Sequence, residues 1–191
     1  MGLLKRLTGS LYRIEANPIV HLAVLISIVV ASLALPATAA SPESEREVRQ
    51  LLARLEKAIR AKDVDAVMAV YAAGAATVLF NSVPPLATTG WESYRKNYQL
   101  FFDMYQGSLD VEFRDLRIVA SKDVAFIHCL QRTSGTLKGG LKDEMWVRIT
   151  SGLRKINGKW LIVHDHVSVP VDFVTGKAVF DLKPGGEPQA R

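Results

Sequence analysis

The fold is decided by one stretch near the end of the chain, Gly158-Lys159-Trp160-Leu161-Ile162-Val163-His164-Asp165-His166-Val167-Ser168-Val169-Pro170. It opens at a turn glycine, ends at a proline and is rich in β-branched and aromatic residues, which predicts a β-strand. Side chains alternate across a strand, so both histidines share one face and the acid lies on the other. The sets are Trp160, Ile162, His164, His166 and Ser168 against Leu161, Val163, Asp165 and Val167. Which face is buried decides which residues can do chemistry.

The preceding strand, residues 145–155, forms a hairpin with this stretch, and two registers are open. A two-residue turn at Asn157-Gly158 places the alternate residues Met145, Val147, Ile149 and Ser151 beside the two histidines. A three-residue turn, with Ile156 included and Gly158 in the left-handed region, places them beside Asp165 instead. We expect the three-residue turn, because it separates an apolar face from a polar one more cleanly.

Composition restricts the class of protein. The chain has 191 residues, 49% of them hydrophobic, which suits one ordinary domain with a substantial core. Its formal net charge of +5 is too small to indicate nucleic-acid binding. The single cysteine, Cys129, excludes an internal disulfide. Its apolar neighbours and the lack of metal-ligand spacing indicate a buried, inert thiol.

Residues 1–40 have the three parts of a secretory signal peptide: a basic start, an apolar run from Pro18 to Pro36, and small residues through Ala39-Ala40. We therefore expect an exported protein, periplasmic or secreted, that is cleaved after Ala39 or Ala40. The alternative is an uncleaved membrane anchor, because the apolar run is nearly long enough to span a bilayer. The remaining chain predicts one domain over residues 41–175 and a flexible tail over residues 176–191.

Two helices are expected at the start of that domain. Ser44 with Glu47 is a capping-box pattern, and apolar residues then recur at helical spacing until about Ala61. Asp63 can cap a short second helix.

A third helix carries an aromatic stripe. Thr89 with Glu92 forms another capping-box pattern. The stripe consists of Trp91, Tyr94, Tyr98, Phe101, Phe102 and Tyr105. Such a stripe is usually part of a core, and facing a curved sheet it can also form the wall of a pocket.

From Leu109 onward the hydrophobic period becomes two, which predicts long strands. Near Arg114-Asp115 the apolar residues switch from odd-numbered to even-numbered positions, which predicts a β-bulge. Three helices followed by a meander of strands indicate an α+β domain with its helices on one face of the sheet.

These elements resemble the SnoaL-like members of the nuclear-transport-factor-2-like superfamily, which includes ketosteroid isomerase. The resemblance covers roughly residues 44–172. It is carried by the run Ala58-Ile59-Arg60-Ala61-Lys62-Asp63 into Tyr71 and by the opening stretch, which is also similar to the end of the calcium/calmodulin-dependent kinase association domain. It implies a cystatin-like cone: a curved, mostly antiparallel sheet wrapped on three N-terminal helices. A pocket at the open end and dimerisation through the sheet are implied as well.

The resemblance also supports the three-residue turn and implies site residues. In SnoaL-like cyclases a carboxylate on the last strand acts as the base, and Asp165, counted from the turn glycine, matches that position. The kinase association domain lines its pocket with arginines. His128 matches one such position, while Ser151 and Val167 match two others without the charge, which argues against an acidic ligand. The acidic residues that many relatives carry after the second helix are replaced by Ala73 and Gly74.

We therefore expect Asp165 and His128 as the catalytic pair in one cavity, walled by Tyr94, Tyr98 and Phe102. Burial would raise the pKa of the Asp165 carboxyl toward the range of a general base, and His128 would complement it. A tyrosine would donate a hydrogen bond to a developing oxyanion. The ligand-binding set is Tyr94, Tyr98, Phe102, Ser151 and Val167.

Each assignment has an alternative. With the two-residue turn, Asp165 would pair with Arg148 or Arg154 on an exposed face. His164 and His166 suit packing or a subunit contact better than catalysis, and a zinc site there would need a third ligand that the sequence does not offer.

Three function classes remain open: a cofactor-free enzyme for a small, largely apolar carbonyl or polyketide-like molecule, a binding protein for such a molecule, and an assembly module. We expect no cofactor and no metal, a small-molecule partner, and membrane contact only through residues 18–36 if these are uncleaved. We also expect a homodimer formed through an outer sheet face bearing Trp146, Trp160 and Ile162.

Overall fold

The computed structural model describes residues 41–74 and 77–185, and the predictions for residues 1–40 and 186–191 lie outside them. Three helices are present in this part of the chain: α1 (Pro42–Ala61), α2 (Val64–Met68) and α3 (Trp91–Asp103). The strands are β1 (Val78–Phe80), β2 (Thr88–Thr89), β3 (Tyr105–Ala120), β4 (Val124–Leu137), β5 (Lys142–Ile156) and β6 (Lys159–Ser168). They form one sheet in the order β2-β1-β6-β5-β4-β3, in which only the β1–β6 pair is parallel. This architecture confirms the predicted α+β fold class.

Two of the three helices, α1 and α3, begin differently from the sequence prediction. The side chain of Ser41, not Ser44, caps α1 by accepting from the Ser44 amide, and the helix ends at Ala61 as expected. The capping box that was predicted for α3 is also wrong, because Thr89 lies in β2 and the N-cap is Gly90. The predicted Asp63 cap of α2 is confirmed by its bond from the Ala66 amide at 2.9 Å.

A bulge divides β3 where the sequence predicted one. The pairing with β4 shifts between Arg114 and Arg117, and Asp115 adopts a left-handed φ of 54°. Asp tolerates that conformation better than most residues. The predicted parity change near Arg114-Asp115 is therefore confirmed, and such bulges increase the local bend and twist of a strand.

The β5–β6 hairpin has a two-residue turn, so the three-residue turn is wrong. Ile156 pairs with Lys159, and the intervening Asn157 and Gly158 both have positive φ, 50° and 78°. Such values belong to a type I′ turn, whose twist matches that of the adjoining strands.

A second irregularity restores the expected pairing around the acid. Leu153 pairs with Ile162 but Gly152 pairs with His164, so Val163 has no partner of its own on β5. Beyond this bulge, Ser151 pairs with Asp165. The extra residue brings Trp160, Ile162 and Asp165 to the same, helix-facing side, where all three are buried.

That result corrects the predicted dimer surface. Trp160 and Ile162 belong to the core, because the bulge changes their parity relative to the histidines. The apolar residues on the outer side of the sheet include Phe126, which is 46% exposed, and Val119, which is 50% exposed. These two pair directly across β3 and β4.

The core lies between α1, α3 and the concave face of the sheet, and Leu51, Met68, Leu79, Ile127 and Ile162 are among its fully buried side chains. Within residues 41–74 and 77–185, no helix combines the length and hydropathy needed to cross a bilayer. Downstream of β6, Val171 bridges to Ala178, and Lys183 Nζ lies 2.8 Å from Glu144 Oε1. The flexibility of residues 176–191 stays a prediction.

Candidate functional site

Asp165 is the buried acid of the domain, with 5% of its surface exposed. It lies on β6 between Leu79 of β1 and Ser151 of β5, its partners in the two neighbouring strands. Its two carboxylate oxygens have different surroundings. Oδ2 accepts a hydrogen bond from the Tyr71 hydroxyl at 2.6 Å, whereas Oδ1 is buried and has no hydrogen-bond partner within the described residues.

Three tyrosine hydroxyls surround the carboxylate. Because Tyr71 donates its proton to Asp165, its oxygen is free to accept from Tyr98, whose hydroxyl lies 3.4 Å away. The Tyr94 hydroxyl lies 3.5 Å from Asp165 Oδ2. The result is a donor chain that runs from Tyr98 through Tyr71 to the acid, with Tyr94 beside it.

Burial is the main cause of the altered acidity of this cluster. It raises the pKa of Asp165 from its ordinary 3.8 to about 6, against the lowering effects of the Ser151 hydroxyl, Tyr71, His164 and Tyr94. The Ser151 hydroxyl acts from close by, without the distance and angle of a hydrogen bond to Oδ1. Burial also raises the pKa of Tyr98 to about 12, so its hydroxyl remains a proton donor at neutral pH.

Helix spacing and ring packing position the tyrosines. Tyr94, Tyr98 and Phe102 recur every four residues on α3 and therefore share one face. The rings of Tyr71 and Tyr94, and those of Tyr94 and Tyr98, meet edge to face with centroids 4.9 Å apart. Phe102 continues the row at 5.6 Å from Tyr98. Contacts of this geometry stabilise aromatic pairs, and here they hold the hydroxyls toward β6.

The concave face of the sheet is incompletely covered next to the acid. Ile149 and Val167 pair with each other two residues along their strands from Ser151 and Asp165, on the same face of the sheet, and both are only half-buried. Gln131, on the same side of β4, is also half-buried and donates to Thr133. A small molecule that entered here would meet apolar side chains, a few neutral polar groups and then the tyrosines.

Cys129 lies on this inner face between Ile127 and Gln131, and its predicted burial is confirmed. Burial, with a smaller contribution from the Asp165 charge, raises the pKa of its thiol to about 12. The thiol therefore stays protonated, which argues against a thiolate nucleophile at this position.

His128 does not join this cluster, and the prediction that it shares a cavity with Asp165 is wrong. It is exposed on the outer face, where it stacks on Phe126 with ring centroids 6.5 Å apart. Its two immediate neighbours on β4, Ile127 and Cys129, are the ones that face inward. Its alternate neighbours Phe126 and Leu130 are apolar, but they belong to an outer face that is itself partly apolar and so do not indicate burial.

His164 and His166 have structural surroundings. His164 Nδ1 donates to the carbonyl oxygen of Val78 at 2.7 Å, and both rings lie edge-on to Phe80. Within the described ranges, no group of three or more His, Cys, Asp or Glu side chains is arranged to hold a metal ion.

Tyr71 is the site residue that sequence reasoning missed. It lies after α2 and bridges to Ile162 of β6. A buried tyrosine usually finds a partner for its hydroxyl, and that rule was the available signal. The structure otherwise brings Tyr94, Tyr98, Phe102, Ser151 and Val167 to the same side of the sheet as Asp165.

Comparison with known proteins gives a consistent picture. The sequence model of the SnoaL-like domain matches residues 48–172. A solved nuclear-transport-factor-2-like protein of unknown function from Pseudomonas putida is 32% identical with a TM-score of 0.68, covering 76% of this chain and 99% of its own. No curated protein matches the chain.

Two more distant structures share the fold. A putative calcium/calmodulin-dependent protein kinase II association domain from Xanthomonas campestris is 24% identical with a TM-score of 0.57, covering 69% of this chain and 92% of its own. A ketosteroid isomerase-like protein from Erwinia carotovora atroseptica is 22% identical, again with a TM-score of 0.57, covering 67% of this chain and 97% of its own. The resemblance that the sequence predicted is confirmed.

Proposed function

Since the chain belongs to the SnoaL-like domain family, we propose that it binds a small, largely apolar, uncharged molecule between α3 and the concave face of the sheet. We further propose that Asp165 moves a proton on that molecule without a cofactor, in an isomerase- or cyclase-like reaction. The alternative within the same site is a binding protein that does no chemistry.

One observation carries the proposal: Asp165 Oδ1 is a buried acceptor without a partner in the described residues. An unsatisfied buried polar group costs about 1–3 kcal/mol, more when it is charged, and native proteins seldom leave one without a reason. A ligand that offers a hydroxyl, an amide N–H or an acidic C–H would satisfy it.

In this proposed reaction the two carboxylate oxygens have different tasks. Tyr71 holds Oδ2 and thereby orients the carboxylate, which leaves Oδ1 to accept a proton. With a pKa of about 6, Asp165 is mainly ionised at neutral pH yet basic enough to take up a proton. Tyr94 and Tyr98 keep their protons. Either hydroxyl would turn from its present contact, 3.5 Å to Asp165 or 3.4 Å to Tyr71, to donate to an oxyanion that develops on a neighbouring carbonyl.

The surroundings favour a neutral ligand. No Lys or Arg side chain in the described residues hydrogen-bonds to Asp165 or to the three tyrosines around it. A ligand anion would meet the acid without a compensating cation, which is unfavourable in a buried site. The half-buried Ile149 and Val167 favour an apolar body.

Proton transfer can be tested with a β,γ-unsaturated ketone such as 3-cyclohexen-1-one. The full chain should catalyse its conversion to the conjugated enone, seen by absorbance, and exchange of its α-protons in D₂O, seen by NMR. Asp165→Asn should abolish both while leaving the fold and ketone binding nearly unchanged. The matched control is Asp115→Asn, at an exposed position whose left-handed backbone suits Asn.

The outcomes separate the alternatives. Catalysis that survives Asp165→Asn would remove the acid from the mechanism. Saturable ketone binding without exchange would support the binding-protein alternative. Perturbation of the Ile149 and Val167 methyl signals by the ketone would be expected in both cases, and its absence would contradict the proposed binding site.

We also propose that two copies associate through the outer sheet face, although its residues differ from those expected. Val119 and Phe126 leave apolar area exposed there, and the half-buried Trp146 lies on the same side of the sheet. A second copy would cover this area.

Export through residues 1–40 likewise remains a proposal that rests on their sequence pattern.

A further inference from the structure

A groove separate from the tyrosine cluster lies between α1, α2 and the turn of the β5–β6 hairpin. Its volume is about 710 Å³, within the usual range of small-molecule sites. None of Asp165, Tyr71, Tyr94 and Tyr98 lines it. It therefore requires an explanation apart from the proposed function.

Three cations line the groove: Arg54 and Lys57 one helical turn apart on α1, and Lys159 at the start of β6. All three are exposed, and the structure gives none of them an ion pair or hydrogen bond to another described side chain. Two helix positions three residues apart lie on one side of a helix, so Arg54 and Lys57 both point toward the groove.

The acids of the groove already have partners. Glu47 Oε2 accepts from Lys155 Nζ at 2.5 Å and from Trp160 Nε1 at 2.7 Å. Asp63 accepts from the Ala66 amide as the cap of α2. Lys155 balances the charge of Glu47, and Asp63 keeps its charge and offsets at most one of the three cations. The groove therefore retains a net positive charge that an anion would complement.

Apart from Gln50 and Gly158, the rest of the lining is apolar and made largely of small side chains. These apolar residues are Ala58, Ala61, Ala66, Ala69, Val70, Trp160 and Leu161. Short side chains leave room for a narrow chain, and apolar contact with them would stabilise it. A bare inorganic anion would use the cations but not this surface.

We propose that the groove binds a small amphiphilic anion, an aliphatic carboxylate or phosphate monoester, with its head group at Arg54, Lys57 and Lys159. Its apolar chain lies along the alanines of α1 and α2 toward Leu161. This site is independent of proton transfer at Asp165, so either proposal can fail without the other.

The test uses hexyl phosphate and hexanoate as probes, added to the full chain and followed by calorimetry and by tryptophan fluorescence, since Trp160 lines the groove. Saturable binding of at least one anion is expected, and the stronger of the two identifies the head group. Hexylammonium and hexanol have the same chain without the negative charge and should bind at least about tenfold more weakly, as expected when a charged hydrogen bond is lost.

Lys57→Glu with Lys159→Glu should weaken the anion at least about tenfold. Both positions are exposed, so the fold should persist, and circular dichroism would confirm it. Lys96→Glu with Lys122→Glu is the matched control, an equal change of charge at two exposed positions that do not line the groove. Lack of saturable binding by both anions, binding unaffected by the double variant, or equal weakening in the control would each overturn the proposal.

Discussion

Asp165 illustrates how one residue acquires its chemistry from its neighbours. Ser151 and Leu79 fix its place in the sheet, and Tyr71 orders one of its oxygens. The sequence was enough to place this acid on the buried face, because the expected pairing of Ser151 with Asp165 and the family resemblance both indicated it. It was not enough to identify Tyr71, since no local pattern links residues 94 positions apart.

The buried acid should make the free energy of unfolding depend on pH. The folded-state pKa of Asp165 is raised, so the native protein binds more protons than the unfolded chain between about 3.8 and 6. Its contribution therefore makes the free energy of unfolding fall as pH rises through that window, by about 3 kcal/mol in total. Denaturant melts of the natural chain and of Asp165→Asn from pH 3.5 to 8 would measure it as the difference between the two curves. Parallel curves would contradict the raised pKa.

Tyr71→Phe should raise the pKa of Asp165 further, because it removes the hydroxyl that stabilises the carboxylate. Titration of the ¹³C carboxyl signal by NMR would show a midpoint above 6, and any catalytic pH profile should shift in the same direction. Tyr105→Phe is a suitable control, because its hydroxyl bonds to Asp143 and not to Asp165. An unchanged midpoint in Tyr71→Phe would show that this bond does not set the acidity.

At the scale of elements, the β5–β6 hairpin shows why a correct face assignment can rest on a wrong turn. Only Ser151 beside Asp165 was needed to place the acid, and two local structures provide that pairing. One is a three-residue turn and the other is a two-residue turn with an extra residue at Val163. The sequence between Gly158 and Asp165 does not distinguish them, because a bulge carries no strong residue signature here.

The helix ends were harder to predict than the helices themselves. Ser44 and Glu47 fit a capping box by spacing, but Ser41 and Pro42 form an earlier start, which leaves Glu47 free for tertiary contacts. The aromatic period of α3 depends on burial rather than on the cap, which is why Tyr94 and Phe102 were placed correctly on the inner side.

Glu47 joins α1 to the hairpin, and its removal should lower stability more than the loss of an ordinary surface acid. Glu47→Ala breaks two charge-assisted hydrogen bonds, to Lys155 and Trp160, that cross between elements. Glu43→Ala breaks only an exposed bond to Arg46 within the same helix. Thermal melts should show a larger decrease of Tm for Glu47→Ala than for Glu43→Ala. Equal Tm values would indicate that the hydrogen bonds of Glu47 to Lys155 and Trp160 contribute little to stability.

At the scale of the whole molecule, class and fold were predictable because they depend on the order and period of many residues. Which apolar residues lie on the outer face of the sheet was not predictable, since Trp160, which was expected there, is buried and Phe126 is exposed instead. The face of the sheet to which a side chain points alternates along a strand, so one inserted residue reverses it for the residues beyond. His128 was likewise assigned to the wrong face of the sheet. An apolar neighbour two residues away indicates a shared face but not which face is buried.

Self-association through the outer sheet face concerns the whole molecule. Light scattering at micromolar concentration should give about twice the mass of one chain if the outer faces pair. Phe126→Glu should shift the particle to a single chain, because two carboxylates would have to be buried in a symmetric interface. Phe173→Glu, at a fully exposed position beyond β6, should leave the mass unchanged. A single-chain mass for the unaltered protein would refute pairing.

Export can be examined in the native host. N-terminal sequencing of the mature protein should begin at Ala40 or Ser41 if the segment is a cleaved signal peptide. A protein that starts at Met1 and fractionates with membranes would favour the uncleaved anchor. A protein that starts at Met1 in the cytoplasm would contradict export.

The extra residue at Val163 affects how equivalent residues are identified in relatives whose last strand differs in length. Deleting it would join Ile162 to His164 with Leu153 and Gly152 still opposite them, so Asp165 would keep both its partner and its side of the sheet. A relative with one residue fewer here can therefore possess the same acid at a shorter distance from the turn glycine. The equivalent residue should be found by counting backward from the proline that ends the strand, five positions before Pro170, because that interval contains no bulge.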